Sequence, residues 1–106
     1  MDCNPSVLSW NPRGLNDPAK RDSVREFVSP LRANIVCLQE TKMEVIDRYT
    51  VSQCLGPSFD EFFYLPARET RGGILLAWDS SVLSISSLSR DTFSITGEVH
   101  TRDNGS

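Results

Sequence analysis

Short apolar runs alternate with polar turn segments along the chain, and their spacing predicts six strands and two helices. Strands are predicted over residues 7–10, 35–39, 61–65, 73–78, 82–86 and 93–99. The run "IVCL" is apolar at four consecutive positions, which is typical of a strand buried on both faces. The last two strands alternate apolar with polar residues, which is typical of strands with one solvated face.

The first helix has clear start and stop signals. Asp17 is the expected N-cap and Pro18 fits the first helical position. An apolar stripe at helical spacing follows, formed by Val24, Phe27, Val28 and Leu31. Because Pro30 lacks an N–H and crowds the preceding turn, the helix is expected to end or kink near Ser29. A weaker helix is predicted over residues 43–55, closed by Gly56 and Pro57.

The order of these elements predicts an α/β fold with a mixed sheet. Strand, helix and strand within residues 7–39 form a βαβ unit, so the first two strands should be parallel with a right-handed crossover. The four later strands are predicted to extend this pair as an antiparallel meander.

Composition indicates one small globular domain. The chain has 106 residues, of which 39% are hydrophobic and 24% charged. No apolar run approaches the ~20 residues of a membrane helix, and the N-terminus lacks the pattern of a signal peptide. We therefore expect an intracellular protein with no membrane partner. Cys3, Cys37 and Cys54 have no metal-binding spacing and are predicted to be free thiols in a reducing compartment.

The net charge of −3 comes from 11 basic and 14 acidic residues, so charge alone does not predict nucleic-acid binding. An enzyme that holds phosphates through a divalent cation can still be acidic, because the metal supplies the positive charge.

Two polar residues come directly after the parallel strands and form the candidate site. Asn11 follows the first strand and Glu40 follows the second. The carboxyl ends of parallel strands meet at one edge of a sheet, where α/β proteins gather ligands. Carboxylate and amide oxygens suit Mg²⁺, which takes few protein ligands and keeps several waters. Arg13 and Lys42 lie just beyond and are placed to neutralise a phosphate.

The same residues also have a purely structural explanation, which geometry alone favours. Asn before Pro is a common turn opener. A Glu at a strand end is often solvated, or caps the next helix, here together with Thr41. Trp10, Trp78 and the phenylalanines are interpreted as core residues rather than as platforms for stacking bases.

Three ordered segments change this balance: "LSWNPRGLN" (8–16), "IVCLQETK" (35–42) and "RGGILLAW" (71–78). Together they resemble the endonuclease/exonuclease/phosphatase superfamily, and most closely the endonuclease domain of plant non-LTR (LINE-type) retrotransposons. The resemblance implies a DNase I-like four-layer α/β/β/α sandwich, of which this chain is the N-terminal half. It also implies Mg²⁺-dependent phosphodiester cleavage of DNA, with Mn²⁺ as a substitute metal.

The resemblance carries over to individual residues. Asn11 matches the family's site asparagine and Glu40 its metal-binding glutamate, so both are expected to be catalytic residues and metal ligands. It assigns no fixed role to Arg13, Thr41 or Lys42. Pro12 departs from the family pattern, and by bending the backbone it could misplace the Asn11 amide.

The family's later motifs do not occur in this sequence. These are a tyrosine-containing strand, a Gly-Asp-Phe-Asn segment and a Ser-Asp-His segment, which supply the phosphate-aligning and water-activating groups. His100 is the only histidine and is interpreted as a surface residue, not the general base. Because residues that act as one catalytic unit do not retain half the rate when half are missing, the chain is expected to be inactive alone.

The sequence therefore predicts that residues 1–106 form one truncated endonuclease-like domain of retrotransposon origin, which binds DNA weakly by itself. Three alternatives remain open: a nuclease completed by a second chain, a module that binds metal or phosphate without cleaving, and a mispredicted gene fragment. The resemblance also implies a sheet face normally covered by the second half, so self-association through that face is expected. The nucleus is one compartment compatible with these predictions.

Overall fold

The computed structural model describes residues 5–102 and contains, in that range, six strands, two α-helices and one 3₁₀ turn. The elements in chain order are β1 (Val7–Trp10), α1 (Pro18–Val28), the 3₁₀ turn (Ser29–Leu31), β2 (Ile35–Gln39), α2 (Arg48–Leu55), β3 (Glu61–Leu65), β4 (Ile74–Trp78), β5 (Leu83–Arg90) and β6 (Ile95–Thr101). The strands lie within about two residues of their predicted starts, and β1, β2 and β3 match the predicted bounds.

The main sheet has four strands in the order β1-β2-β4-β3. β1 and β2 are parallel, with Trp10 opposite Leu38, which confirms the predicted βαβ unit. β4 lies antiparallel between β2 and β3. The sheet is therefore mixed, as the sequence predicts.

The expectation of a continuing meander is wrong for β5 and β6, which form a separate two-stranded sheet. Both edges of β4 are already paired, with β2 on one side and β3 on the other, so β5 has no free edge there. The chain instead turns at Asp79, whose carbonyl accepts from Val82 N–H at 3.1 Å, and the β5–β6 hairpin packs against one face of the main sheet.

Helix α1 follows its sequence signals. The Asp17 carboxylate accepts a hydrogen bond from the Ala19 N–H at 3.0 Å, and Pro18 is the first helical residue. The helix ends at Val28 and tightens into the 3₁₀ turn that contains Pro30, close to the predicted stop.

Helix α2 is shorter than predicted, because the helix begins at Arg48 and not at residue 43. Asp47 is its N-cap, and its carboxylate accepts from both the backbone N–H and the hydroxyl of Thr50 at 2.8 Å. The preceding segment is not helical and places Met43 and Ile46 in the core. Gly56 ends the helix with a φ of 92°, as the Gly-Pro signal indicates.

Two apolar clusters hold the layers together. The larger lies between the helices and the main sheet and includes Leu15, Val24, Leu38, Val51 and Leu75. The smaller lies between the other sheet face and the hairpin and is formed by Ile35, Trp78 and Leu83, with half-buried neighbours. The layers are thus helices, main sheet and hairpin sheet.

The aromatic residues divide between the core and the surface. Trp78 and Phe59 are buried, as expected. The prediction that all phenylalanines are core is wrong for Phe27 and Phe93, which are 46% and 68% exposed. Phe27 still packs on Trp10, with ring centroids 4.5 Å apart. One side of the Phe27 ring is therefore covered by the protein.

Cys37 and Cys54 are free thiols, and Cys3 lies outside the described residues. Burial raises the pKa of Cys37, and raises that of Cys54 to about 11, so neither thiol is activated as a nucleophile. No helix within residues 5–102 is long and apolar enough to cross a membrane.

Candidate functional site

The turn after β2 is the structural centre of the candidate site. The Glu40 carbonyl accepts from the Gly14 N–H at 2.8 Å, and the Thr41 carbonyl accepts from the Leu15 N–H at 2.8 Å. On the other side, Thr41 N–H donates to the Gly73 carbonyl at 3.3 Å and Lys42 N–H to the Gly72 carbonyl at 2.6 Å. The turn is therefore fixed between the loop after β1 and the loop before β4.

The backbone of this turn has left-handed conformations that side chains rarely adopt. Glu40 and Lys42 have φ angles of 56° and 61°, and Arg13 in the facing loop has 61°. Such conformations cluster at functional sites, where the surrounding structure holds them in place. Here the four backbone hydrogen bonds provide that support.

The two glycines of the "RGG" segment leave room for this turn. A Cβ on Gly72 would overlap the Glu40 carboxylate, so that carboxylate lies directly against the Gly72 backbone. A Cβ on Gly73 would come within 2.5 Å of Thr41 Oγ1, and Gly73 also has a φ of 90°. Thr41 is fully buried beneath the turn. Gly72 and Gly73 thus shape the site by leaving room for the Glu40 and Thr41 side chains.

Within residues 5–102, the Glu40 carboxylate forms an ion pair with Lys42. Lys42 Nζ lies 3.1 Å from Glu40 Oε1, and the two side chains are 53% and 43% exposed, respectively. Exposed ion pairs of this kind contribute little stability, so the pair can open when another ligand approaches. The Glu40 carboxylate is therefore accessible to solvent, and its negative charge is balanced by Lys42.

Asn11 lies at the same sheet edge, as predicted. Because Trp10 pairs with Leu38, Asn11 is one residue and Glu40 two residues beyond the last paired positions of β1 and β2. The Asn11 side-chain oxygen accepts the Arg13 backbone N–H at 2.9 Å, around the buried Pro12. Asn11 thus closes its own turn, and the amide oxygen retains a second lone pair.

These donors fit a hydrated Mg²⁺ rather than an ion enclosed by protein ligands. Within residues 5–102, no three His, Cys, Asp or Glu side chains lie close enough together to hold a metal. One accessible carboxylate and one exposed amide remain, and Mg²⁺ commonly binds through one or two carboxylates while keeping its waters.

A basic groove of about 530 Å³ borders the site at the start of α1. Arg13, Lys20 and Lys42 contribute cationic side chains to it, and Asp17 is the acidic residue in its lining. The sequence identified Arg13 and Lys42 but missed Lys20, because its approach to Lys42 depends on how α1 packs. This surface is locally basic even though the chain has a net charge of −3.

A second cleft, of about 240 Å³, opens on the other side of Glu40. Its lining combines Gln39, Leu65, Arg71 and Phe93 with the Gly72–Gly73 backbone and Ile74. The sequence did not single out Phe93 or Arg71 as site residues. The only available signal was that Arg71 immediately precedes the glycine pair.

His100 is exposed, as predicted, and its Nε2 lies 2.9 Å from Ser86 Oγ. It pairs with Ser84, near the Leu83 end of the hairpin, where Leu83 packs beside Trp78 at the end of β4. Glu40 contacts Gly72, before the start of β4. The length of β4 therefore separates the histidine from the glutamate.

Comparison with known proteins identifies the family and the fold of the chain. Residues 8–105 match the Endonuclease/Exonuclease/phosphatase family, and the chain belongs to that family. A DNA-(apurinic or apyrimidinic site) endonuclease 2 from Schizosaccharomyces pombe is 32% identical over 66 residues, covering 57% of this chain and 12% of that protein.

The crystal structure of the AP endonuclease LMAP from Leishmania major has a similar fold, with a TM-score of 0.53 and 16% sequence identity. The match covers 92% of this chain and 40% of that one. It confirms the predicted fold, a mixed α/β part of a DNase I-like sandwich. The chain thus covers less than half the length of each of these two relatives.

Proposed function

We propose that this chain carries the Mg²⁺-binding and phosphodiester-contacting part of an endonuclease-like domain that acts on DNA, and that the chain alone does not cleave. The observation that carries the proposal is the placement of the Glu40 carboxylate. It lies against Gly72, at the carboxyl end of two parallel strands, beside a groove lined by Arg13, Lys20 and Lys42.

In this proposal Glu40 is the principal metal ligand and Asn11 its neighbour, with Mg²⁺ as the natural ion and Mn²⁺ as a substitute. A bound divalent cation would supply positive charge at a phosphodiester oxygen. Arg13, Lys20 and Lys42, which line one groove, would contact phosphates of the DNA strand. The names of both relatives, which are AP endonucleases, support DNA as the polymer.

The expected absence of cleavage rests on the groups near Glu40. General-base activation of water typically contributes ~10²–10⁴-fold to a rate. His100, the chain's one histidine, lies toward the far end of β4 from Glu40. Among the described residues that line the two clefts, the carboxylates are Glu40, which the proposal assigns to the metal, and Asp17, which caps α1. Cationic lysine and arginine are poor bases.

We also propose which subgroup of the family the chain comes from. The segments 8–16, 35–42 and 71–78 support an origin in the endonuclease of a plant LINE-type retrotransposon. They coincide with the loops that meet at the site: the Gly14–Leu15 loop, the Glu40–Lys42 turn and the Gly72–Gly73 pair.

A nicking assay on supercoiled DNA tests the proposal together with a metal titration. We expect no Mg²⁺-dependent nicking by the 106-residue chain, and we expect Mn²⁺ to broaden the amide NMR signals of Asn11 and Glu40 before those of Asp60 and Glu98. Glu40→Gln should remove that early broadening. Equal broadening at Glu98 would contradict the metal site.

Nicking that Glu40→Gln abolishes would favour a different function, an enzyme completed by association of chains. The remaining candidate, a module that binds phosphate without metal, is favoured only by the basic groove. DNA binding that is unchanged by Glu40→Gln and by metal removal would support that module.

A further inference from the structure

Phe93 is a large aromatic residue on the surface beside the candidate site. Its side chain is 68% exposed, and it lines the same cleft as Glu40. A single exposed aromatic needs no explanation by itself. Phe93 differs from other exposed aromatic residues because hydrogen bonds fix the turn in which it lies, residues 91–94.

Two arginines tie this turn to the end of β3. Arg71 donates from Nε to the Pro66 carbonyl at 2.8 Å and from Nη1 to the Thr92 carbonyl at 3.1 Å. Arg90 donates from Nη1 to the Tyr64 carbonyl at 2.8 Å, and its guanidinium lies 5.2 Å from the centre of the Phe63 ring. Because the residues on both sides of Phe93 are anchored, its ring is presented on a fixed support.

The turn also closes on itself. Asp91 N–H donates to the Ser94 carbonyl at 2.8 Å, and the Asp91 carboxylate accepts from Thr92 N–H at 2.8 Å. An aromatic ring on an ordered turn loses little conformational freedom when a ligand stacks on it. This lowers the entropic cost of binding.

The lining of the cleft beside the ring combines apolar and polar side chains. Leu65, which is buried, and Ile74 are apolar, and the polar side chains are those of Gln39, Glu40 and Arg71. Arg71 uses two of its five N–H donors on carbonyls, and no carboxylate lies within ion-pair distance of it in residues 5–102. Donors and positive charge therefore remain for a ligand.

The volume limits what can enter. At about 240 Å³ the cleft is smaller than the ~300–1,000 Å³ of pockets for drug-sized ligands, so it suits a single flat ring system. An aromatic platform, a guanidinium and an amide together are the groups that bind unstacked bases in single strands.

We propose that this cleft binds one unstacked nucleobase, with the base stacked on Phe93 and its acceptor atoms facing Arg71 and Gln39. The base belongs to the nucleotide that flanks the phosphodiester at Glu40, so the inference rests on the proposed function. The base site adds to the proposed function a preference for single-stranded or locally opened DNA.

The test compares two single-stranded probes with the same phosphates, using the full 106-residue chain in Mg²⁺. One probe is a labelled ten-nucleotide oligothymidylate; the other is a ten-unit strand of tetrahydrofuran abasic sites. Fluorescence anisotropy gives the two dissociation constants. Wild-type chain should bind the oligothymidylate more tightly than the abasic strand.

Phe93→Ala should weaken oligothymidylate binding about 5- to 150-fold, the range of one base stacked on one aromatic ring, and leave abasic binding unchanged. Phe93→Tyr should retain the binding. Tyr49→Ala is the matched control, since Tyr49 is 67% exposed and lies on α2, outside the cleft lining.

Equal weakening of both probes by Phe93→Ala, or no weakening of either, overturns the base site while leaving the proposed function intact. If the wild-type chain binds neither probe, the proposed function fails and the base site fails with it. Sedimentation of the same variants identifies the remaining outcome. Loss of self-association in Phe93→Ala without a change in oligothymidylate binding would assign Phe93 to a contact between chains and overturn the base site.

Discussion

The Glu40 carboxylate occupies the space that a side chain at residue 72 would fill. A Cβ at Gly72 would overlap the carboxylate, and the Gly72 carbonyl accepts the Lys42 backbone N–H at 2.6 Å. The absence of a side chain at Gly72 therefore determines where the proposed metal ligand lies. Groups that orient metal ligands typically contribute 10- to 100-fold to metal affinity.

Gly72→Ala should accordingly weaken Mn²⁺ binding by about tenfold or more, because the added methyl displaces the carboxylate. The measurement is Mn²⁺ broadening of the Glu40 and Asn11 amide signals. Glu40→Asp in the Gly72→Ala background shortens the acid by one methylene and should recover part of the binding. Gly97→Ala is the control, since its Cβ would meet Ile85 and Leu88 on the hairpin.

A merely structural role for Gly72 would give a different result. Gly72→Ala would then lower the thermal midpoint without any recovery of Mn²⁺ binding by Glu40→Asp. Unchanged Mn²⁺ binding in Gly72→Ala would contradict the positioning argument altogether.

Lys42→Met should have opposite effects on metal and on DNA. It removes the cation that lies 3.1 Å from Glu40, so Mn²⁺ should bind a few-fold more tightly at low salt. It also removes a proposed phosphate contact, so single-stranded DNA should bind more weakly, with a shallower salt dependence. Lys20→Met is the matched variant: it should weaken DNA binding and leave Mn²⁺ affinity unchanged. Parallel changes in both affinities for Lys42→Met would refute this account.

The pH dependence of folding should include a contribution from Asp47. The backbone N–H and then the hydroxyl of Thr50 stabilise the ionised carboxylate, which lowers the pKa of Asp47 in the folded chain. Its stabilisation is therefore fully present above the ordinary Asp pKa of about 4 and is lost as the pH falls through the lower folded pKa.

Asp47→Asn should thus lower the thermal midpoint by a few degrees at neutral pH, and the difference should shrink as the pH falls below the ordinary Asp pKa of about 4. Asp22→Asn, at an exposed position on α1, serves as the control. A difference between Asp47→Asn and wild type that persists unchanged into acid would show that the carboxylate charge contributes nothing.

Self-association is expected through the part of the sheet face that lies beside the hairpin and is not covered by it. Ile35 is covered by the hairpin cluster, whereas Val7, its partner on the neighbouring strand, is 61% exposed. Val7→Lys should therefore shift the chain toward monomer in size-exclusion chromatography with light scattering. Val45→Lys, at a 70% exposed position before α2, is the control. A monomeric wild-type chain that binds no dye for exposed apolar surface would contradict the expectation.

The sequence by itself determined the elements whose signals are local. The buried run of β2, the Asp17–Pro18 start of α1 and the stop near Pro30 depend on periodicity, capping and the geometry of proline. These act over a few residues, so they can be read without knowing the rest of the chain. The parallel βαβ unit then places Asn11 and Glu40 at one sheet edge, because parallel strands end on the same side.

The tertiary structure decided the features that join distant segments. β4 lies between β2 and β3, which leaves β5 and β6 to form their own sheet. Gly72 lies under the Glu40 carboxylate, and Arg71 holds Thr92 so that Phe93 faces the same cleft. No periodicity encodes these contacts, because each joins segments that are distant in the chain. Such packing is set by the whole fold rather than by local propensity.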